Sequence, residues 1–295
     1  MAVIELSGVT KAYGRQRGIF DVDLAVAAGE AFGYLGPNGA GKTTTIRLLL
    51  DFIRPTRGSV RVLEQSPRLR AVRRRVGYLA GELALYDRYS GMEMLTFLDH
   101  LRGGGSLPYA RTLAERLDLD LRRAIGKLSK GNKQKIGVVQ ALMHRPELLI
   151  LDEPTSGLDP LMQQVFVELI AEHRRDGATV FLSSHVLSEV ERLADRVAII
   201  REGRIVEVAT LEELRRRAVQ QFVITFDEDV PVERFAAIRN IADVRMAGRT
   251  LTCSVTGSVD PLVKAIVDFR VANIVSFGAD LEALFLSYYR GGNGA

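Results

Sequence analysis

Apolar and polar residues alternate along the first segment of the chain, MAVIELSGVTKAYG, with the period of two expected of a strand half covered by a core. A turn-rich stretch follows. The apolar run EAFGYLG then ends in a glycine-rich loop and passes into the helical run TTTIRLLLDFI. From about Leu83 to Leu121 the pattern is basic and helical, and it contains Gly103, Gly104 and Gly105, a flexible connection between helices. Three more apolar runs, ELLILD, TVFLSS and RVAIIRE, alternate with amphipathic helices around Leu161 to Arg174 and Ser188 to Leu193. Short apolar strands alternating with helices build a parallel sheet covered on both faces. The pattern therefore predicts an α/β domain over 1–219, with a helical subdomain inserted at about 83–145.

The rhythm changes where the helix LEELRRRAVQ ends. Strand QFVITF, helix VERFAAIRN, strands DVRMAG and TLTCSV, helix DPLVKAIVDF, strand NIVSFG and a last helix DLEALFLSYYR follow in order. That βαββαβ order predicts a small α+β domain of ferredoxin-like type over 220–295, with GGNGA as a frayed tail. The first domain has no internal repeat, so one chain carries one such unit.

With 295 residues there is room for two domains, and 47% hydrophobic against 26% charged residues is the balance of a soluble globular protein. No apolar stretch approaches the length of a membrane span, since LLILDEP and RVAIIREG meet charge within a few residues. The first residues also lack a basic region followed by an apolar run, which predicts a protein that is not exported. The one cysteine, Cys253 in TLTCSV, reads as a small buried thiol and fits a reducing cytoplasm. A net charge of +4 is too modest to single out nucleic acid or anionic lipid as a partner.

Candidate chemistry begins at Gly36-Pro37-Asn38-Gly39-Ala40-Gly41-Lys42-Thr43, which fits the pattern G-x-x-x-x-G-K-[ST] between a strand and a helix. Glycines let such a loop fold back so that backbone N–H groups, on into Thr44, point at one phosphate chain. Lys42 supplies a point charge between the β- and γ-phosphates, and the Thr43 hydroxyl is placed to ligate Mg2+. At the end of the apolar run Leu148 to Leu151 stand two carboxylates, Asp152 and Glu153, where open parallel sheets bind ligands. Asp152 suits a Mg2+ shell and Glu153 a water that attacks the γ-phosphate, although such a pair taken alone is equally a solvated loop start. His185, directly after TVFLSS, ends another strand, where a neutral imidazole can bond the γ-phosphate and orient the water. His100, His144 and His173 fall in helical stretches that suit surface or packing roles.

These motifs occur in the order of the ABC ATPase family, which the chain resembles over roughly its first three quarters. The segment Leu128-Ser129-Lys130-Gly131-Asn132-Lys133-Gln134 looks like the family signature LSGGQ, a short loop opening a helix whose Ser129 and Gly131 amide can present donors to a phosphate. The resemblance implies that ATP with Mg2+ is sandwiched between the P-loop of one copy and Ser129, Gly131 and Asn132 of a second nucleotide-binding subunit, most simply a homodimer. It further implies that Tyr13 stacks on adenine, although taken alone Tyr13 suits core packing. Ser156-Gly157-Leu158-Asp159 matches the loop linking the two sites, and His185 the switch histidine. Two departures stand out. Lys130 and Asn132 replace the usual Gly and Gln, bringing a further cation near phosphate. Gly81 occupies the position of the usual Mg2+-sensing Gln, with Glu82 beside it as its substitute. The segment Asp280 to Tyr289 is similar to the closing helix of exporters that move drugs, antibiotics or lipids through a separately encoded membrane permease. The resemblance thus implies a cytoplasmic, membrane-peripheral ATPase subunit with no nucleic-acid partner. The alternatives are a free-standing ABC ATPase acting on nucleic acid and a P-loop kinase, the latter opposed by the signature.

Overall fold

The computed structural model describes residues 1–14, 17–278 and 281–290. The chain divides into two compact units, Met1–Val208 and Ala209–Ala295.

The first unit holds two sheets. Strands β1 (Ala2–Ala12), β2 (Gly18–Ala27) and β4 (Arg57–Val62) pair antiparallel in the order β2-β1-β4. The alternating burial of β2 matches a sheet with one face on the core. Strands β3 (Ala31–Leu35), β5 (Val76–Leu79), β6 (Leu148–Asp152), β7 (Thr179–Ser184), β8 (Arg196–Arg201) and β9 (Arg204–Thr210) form a second sheet in the order β5-β6-β7-β3-β8-β9, parallel from β5 through β8. Every residue of β3, β6 and β7 is buried, as expected of parallel strands covered on both faces. Between the sheets lies α1 (Lys42–Leu49), whose Ile46, Leu48 and Leu49 join Ile4, Leu6 and Val22 of one sheet and Phe32, Tyr34 and Phe181 of the other in a single core. Phe32 and Phe181 stack at 6.2 Å within it. The helix ends four residues earlier than the apolar run suggests, because Asp51 turns left-handed at φ 56° and the Phe52 and Ile53 amides fold back onto the Arg47 carbonyl.

Helices α2 (Arg70–Arg74), α3 (Gly91–Arg102), α4 (Leu107–Arg116) and α5 (Lys130–Leu142), with a 3-10 turn at Ile125–Lys127, fill the span between β4 and β6. Ser90 and Glu93 cap α3 reciprocally, satisfying two amides that a helix start leaves open. The glycine triplet is a structured turn and not a loose hinge. Gly103 closes α3 at φ 110°, the Gly104 amide donates to the Asp99 carbonyl, and the buried Asp99 carboxylate accepts the Ser106 amide at 2.8 Å. Helices α6 (Pro160–Arg175) and α7 (Leu187–Leu193) follow β6 and β7.

The second unit opens with α8 (Leu211–Arg217), which the sequence reading assigned to the first domain; α11 (Leu281–Arg290) packs against it. Strands β10 (Val219–Phe226), β11 (Ile241–Ala247), β12 (Thr250–Thr256) and β13 (Val271–Phe277) form an antiparallel sheet in the order β11-β12-β10-β13. Short helices α9 (Glu233–Ala236) and α10 (Asp260–Ile266) connect them, and Phe235, Leu262 and Ile266 pack with Ile224, Phe226, Leu251 and Val255 into a separate core. Cys253 is buried in that core, and burial pushes its thiol pKa up. The expected closing helix is present as α11, while Asp280 and the GGNGA tail lie outside the described residues.

His144, just after α5, points Nε2 at the Val76 carbonyl at 3.2 Å and leaves Nδ1 buried without a partner among the described residues. Burial first, and the Arg102 charge second, push its pKa down to about 4. The unfolded chain, with an ordinary histidine near ~6.5, takes a proton that the folded chain refuses. The stability this contributes is present above ~6.5 and is lost as pH falls toward 4. Melting curves at pH 7 and pH 4.5 should therefore show a larger drop for the natural chain than for His144→Gln, whose amide keeps the donor to Val76. Equal drops would contradict this reading.

Candidate functional site

Strands β6, β7 and β3 are neighbours and parallel, so their carboxyl ends open side by side. Asp152 lies in register with Ser183, and Leu35 with Ser184. The exits of the three strands are Gly36 to Gly41, Glu153 to Ser156 and His185, which places three sequence-distant motifs about one strand spacing apart.

Gly41 sits at φ 116°, and a Cβ there would come 2.6 Å from Ile19 Cγ2, so only glycine turns the loop into α1 at this point. The turn buries Lys42. Its Nζ donates to the Gly36 carbonyl at 2.6 Å and the Pro37 carbonyl at 3.3 Å, and stands 3.4 Å from Glu153 Oε1. The next residue, Thr43, donates its hydroxyl to Asp152 Oδ2 at 3.2 Å, while Ser183 donates to Asp152 Oδ1 at 2.5 Å. Glu153 has a left-handed backbone, φ 48°, a conformation costly for a residue with a Cβ and concentrated at functional sites. Its amide donates to the Ser183 carbonyl, and its Oε2 lies 2.8 Å from His185 Nδ1. Glu153 thus joins a cation on one oxygen to an imidazole on the other.

A cleft of about 1060 Å3 opens over these groups. Asn38, Gly39, Gly41, Lys42, Thr43 and Thr44 form its floor beside Asp152 and Glu153. Tyr13, Arg17 and Glu202 line it too, as do Gly81, Glu82 and His185. Tyr13 is half exposed, free to offer a ring face to a flat ligand, with Lys11 Nζ 5.5 Å from its centroid. A Cβ on Gly81 would lie 3.5 Å from the Asp152 carboxylate, so the backbone itself abuts that acid and the adjoining side chain is Glu82. Tyr78 also lines the cleft, its phenol pKa raised to about 12 by burial and then by the Asp152 charge. Bases on several sides and carboxylates at the foot suit a polyanion accompanied by a cation.

The structure does not bring the signature residues Ser129, Gly131 and Asn132, or Asp159, to the lining of this cleft; Lys130 reaches it instead. Ser129 caps α5, accepting the Asn132 amide at 3.3 Å, and Asp159 caps α6, accepting the Met162 amide at 3.0 Å. A Cβ on Gly131 would meet the Gly157 carbonyl at 2.6 Å, so the signature loop and the Ser156–Asp159 loop touch backbone to backbone. Buried Gln134 donates to the Pro154 carbonyl at 2.9 Å, fastening α5 to the residue after Glu153.

A family model described as ABC transporter matches residues 19–156. The bacitracin transport ATP-binding protein BcrA of Bacillus licheniformis is 37% identical over 220 residues, covering 73% of this chain and 72% of that protein. The chain belongs to the ABC transporter ATP-binding proteins. The ABC transporter ATP-binding protein NatA of Bacillus subtilis is 35% identical over 209 residues, covering 67% and 84%. A solved ATP binding subunit of an ABC transporter superposes with TM-score 0.68 at 32% identity, over 72% of this chain and 92% of that one. This ABC protein is therefore the ATP-binding subunit of a transporter and an ABC-type ATPase. Among the described residues, no helix is long and apolar enough to cross a membrane.

Sequence reasoning missed Arg17, Tyr78 and Glu202, which converge only through the fold, whereas Lys130, read from the sequence as a further cation near phosphate, does line the cleft. The remaining histidines lie away from the cleft lining: His173 is buried, bonding the Leu169 carbonyl at 2.8 Å, and His100 is exposed. The contact at Gly131 yields a prediction for this ABC subunit. Gly131→Ala forces a carbonyl to move and should lower stability by about 1–3 kcal/mol, read from chemical denaturation. An unchanged midpoint and slope would show that the two loops do not pack as described.

Proposed function

We propose that the cleft binds ATP with Mg2+ and hydrolyses it, and that two copies of the chain close on two nucleotides to drive a separate membrane permease. The supporting observation is Glu153, held between Lys42 and His185 at the mouth of the P-loop. In this reading the Gly36–Thr44 amides and Lys42 cradle the phosphates, Tyr13 takes the adenine, and Glu153 accepts a proton from the attacking water while His185 orients it. Occupation of the γ-phosphate site would give Lys42 a new anion in place of loop carbonyls. Thr43 and Asp152 offer hard oxygen donors already within 3.2 Å of each other, a fit to Mg2+, with Glu82 a further carboxylate in the same cleft. Bound there, the ion would neutralise charge on the β- and γ-phosphate oxygens.

Ser129, Gly131 and Asn132 serve the nucleotide of the second copy in this scheme, with Asp159 in the loop between the two sites. Support comes from Ser129, which is exposed at the mouth of α5 and stands apart from the cleft of its own chain. The helical subdomain at 83–145 would grip the permease, and the chain would work on the cytoplasmic face of the membrane. The likeness to two bacitracin transport proteins supports export of an antibiotic, drug or lipid. The smaller unit reads as ferredoxin-like because the strand order β13-β10-β12-β11, all antiparallel, is what a βαββαβ chain gives when its two βαβ halves interleave.

Glu153→Gln keeps the shape of the site but removes the base, and should retain ATP affinity while slowing hydrolysis on the order of a hundredfold. Unchanged turnover would overturn the role given to Glu153. Gentle detergent extraction of the tagged chain should copurify a polytopic membrane protein; recovery of nucleic acid instead would favour a non-transport ATPase.

A further inference from the structure

Beside Glu153 and His185 lies a further carboxylate that the proposed chemistry does not use. Glu189, half-buried in α7, accepts the Thr155 hydroxyl on Oε1 and the Ser184 hydroxyl on Oε2, the latter at 2.6 Å. Thr155 and Ser184 are themselves buried, and each stands one or two residues from a cleft group: Thr155 follows Glu153 and Pro154, and Ser184 precedes His185. One side chain therefore ties the exits of β6 and β7 to α7.

The direction of these bonds matters. A hydroxyl has one hydrogen, and a carboxylate only accepts. Ser184 Oγ lies 3.5 Å from Glu153 Oε2 and 2.6 Å from Glu189 Oε2, so its proton goes to Glu189. Its lone pair accepts the Val186 amide at 2.9 Å, which fixes the backbone beyond His185. With the Ser184 proton drawn away, Glu153 Oε2 meets only His185 among these neighbours.

We propose that Glu189 is a positioning residue for ATP hydrolysis: by taking the Ser184 and Thr155 protons it sets Glu153 and His185 relative to each other and keeps a Glu153 lone pair open to the attacking water. This rests on Glu153 being the base. A glutamine at 189 carries one acceptor and one donor in place of two acceptors. One hydroxyl must then turn its proton elsewhere, and for Ser184 the nearest alternative acceptor is Glu153.

The test is a double-mutant cycle on the full chain, with Mg-ATP turnover and ATP affinity both measured. Glu189→Gln should lower kcat about tenfold with the ATP dissociation constant held within about twofold. In a Ser184→Ala background, where the misdirected proton is gone, the same change should cost less than about twofold. An unchanged kcat in Glu189→Gln, or an equal loss in both backgrounds, would overturn the proposal, since a general loss of packing does not depend on the Ser184 proton. Glu153→Gln runs alongside: its inactivity with a fully active Glu189→Gln sinks the positioning role alone, whereas full turnover in Glu153→Gln removes the base on which the inference stands.

Discussion

The ammonium of Lys42 is buried, and a buried charge costs several kcal/mol unless it is met by opposite charge and hydrogen bonds. Much of the site can be understood as the means of meeting it. The loop curls so that the Gly36 and Pro37 carbonyls face Nζ, which requires the left-handed turn at Gly41. Glu153 closes the shell from the other side, and it can do so only because β6 emerges near β3 in the same parallel sheet, with β7 between them. The compensating partners, two carbonyls and one carboxylate, are also the groups that an incoming phosphate would partly replace. A cation held in this way is prepared for an anion without being satisfied by water.

Much of this was legible in the sequence because the decisive residues end apolar runs. Asp152, Glu153 and His185 each follow four to six residues that must be strand interior, and a parallel sheet sends all such ends to one edge. The P-loop was legible for a different reason, since its spacing encodes a local fold that needs little from the rest of the chain. What escaped detection depends on non-local packing. Glu189 reads along the sequence as an ordinary acid on a short helix, and only the pairing of β6 with β7 puts it against both Thr155 and Ser184. The cation that Lys130 brings near phosphate was legible in the sequence, whereas the packing of Gly131 on Gly157 beside it shows only in the fold. The glycine triplet suggested looseness by composition, yet Asp99 turns it into a fixed cap. In the second unit the strands were placed from their alternation, while their order in the sheet is set by pairings between residues far apart in the chain.

The signature region and the carboxylates are joined inside one chain. Gln134 reaches from α5 to the Pro154 carbonyl, and Gly131 touches Gly157, so a displacement of α5 is felt at the residues flanking Glu153. An ATPase that moves a partner needs such a connection between its nucleotide cleft and a helical surface. Here a buried amide hydrogen bond and a close backbone approach that leaves no room for a Cβ join α5 to the loop beyond Glu153.

The central claim is that the Lys42 shell is a phosphate cradle. It is tested most directly by a structure of the full chain with Mg2+ and a non-hydrolysable ATP analogue. The account predicts the γ-phosphate within hydrogen-bonding distance of Lys42 Nζ and beside Glu153, with Thr43 and Asp152 at the metal. A triphosphate seated elsewhere, with Lys42 still bound only to Gly36, Pro37 and Glu153, would contradict it.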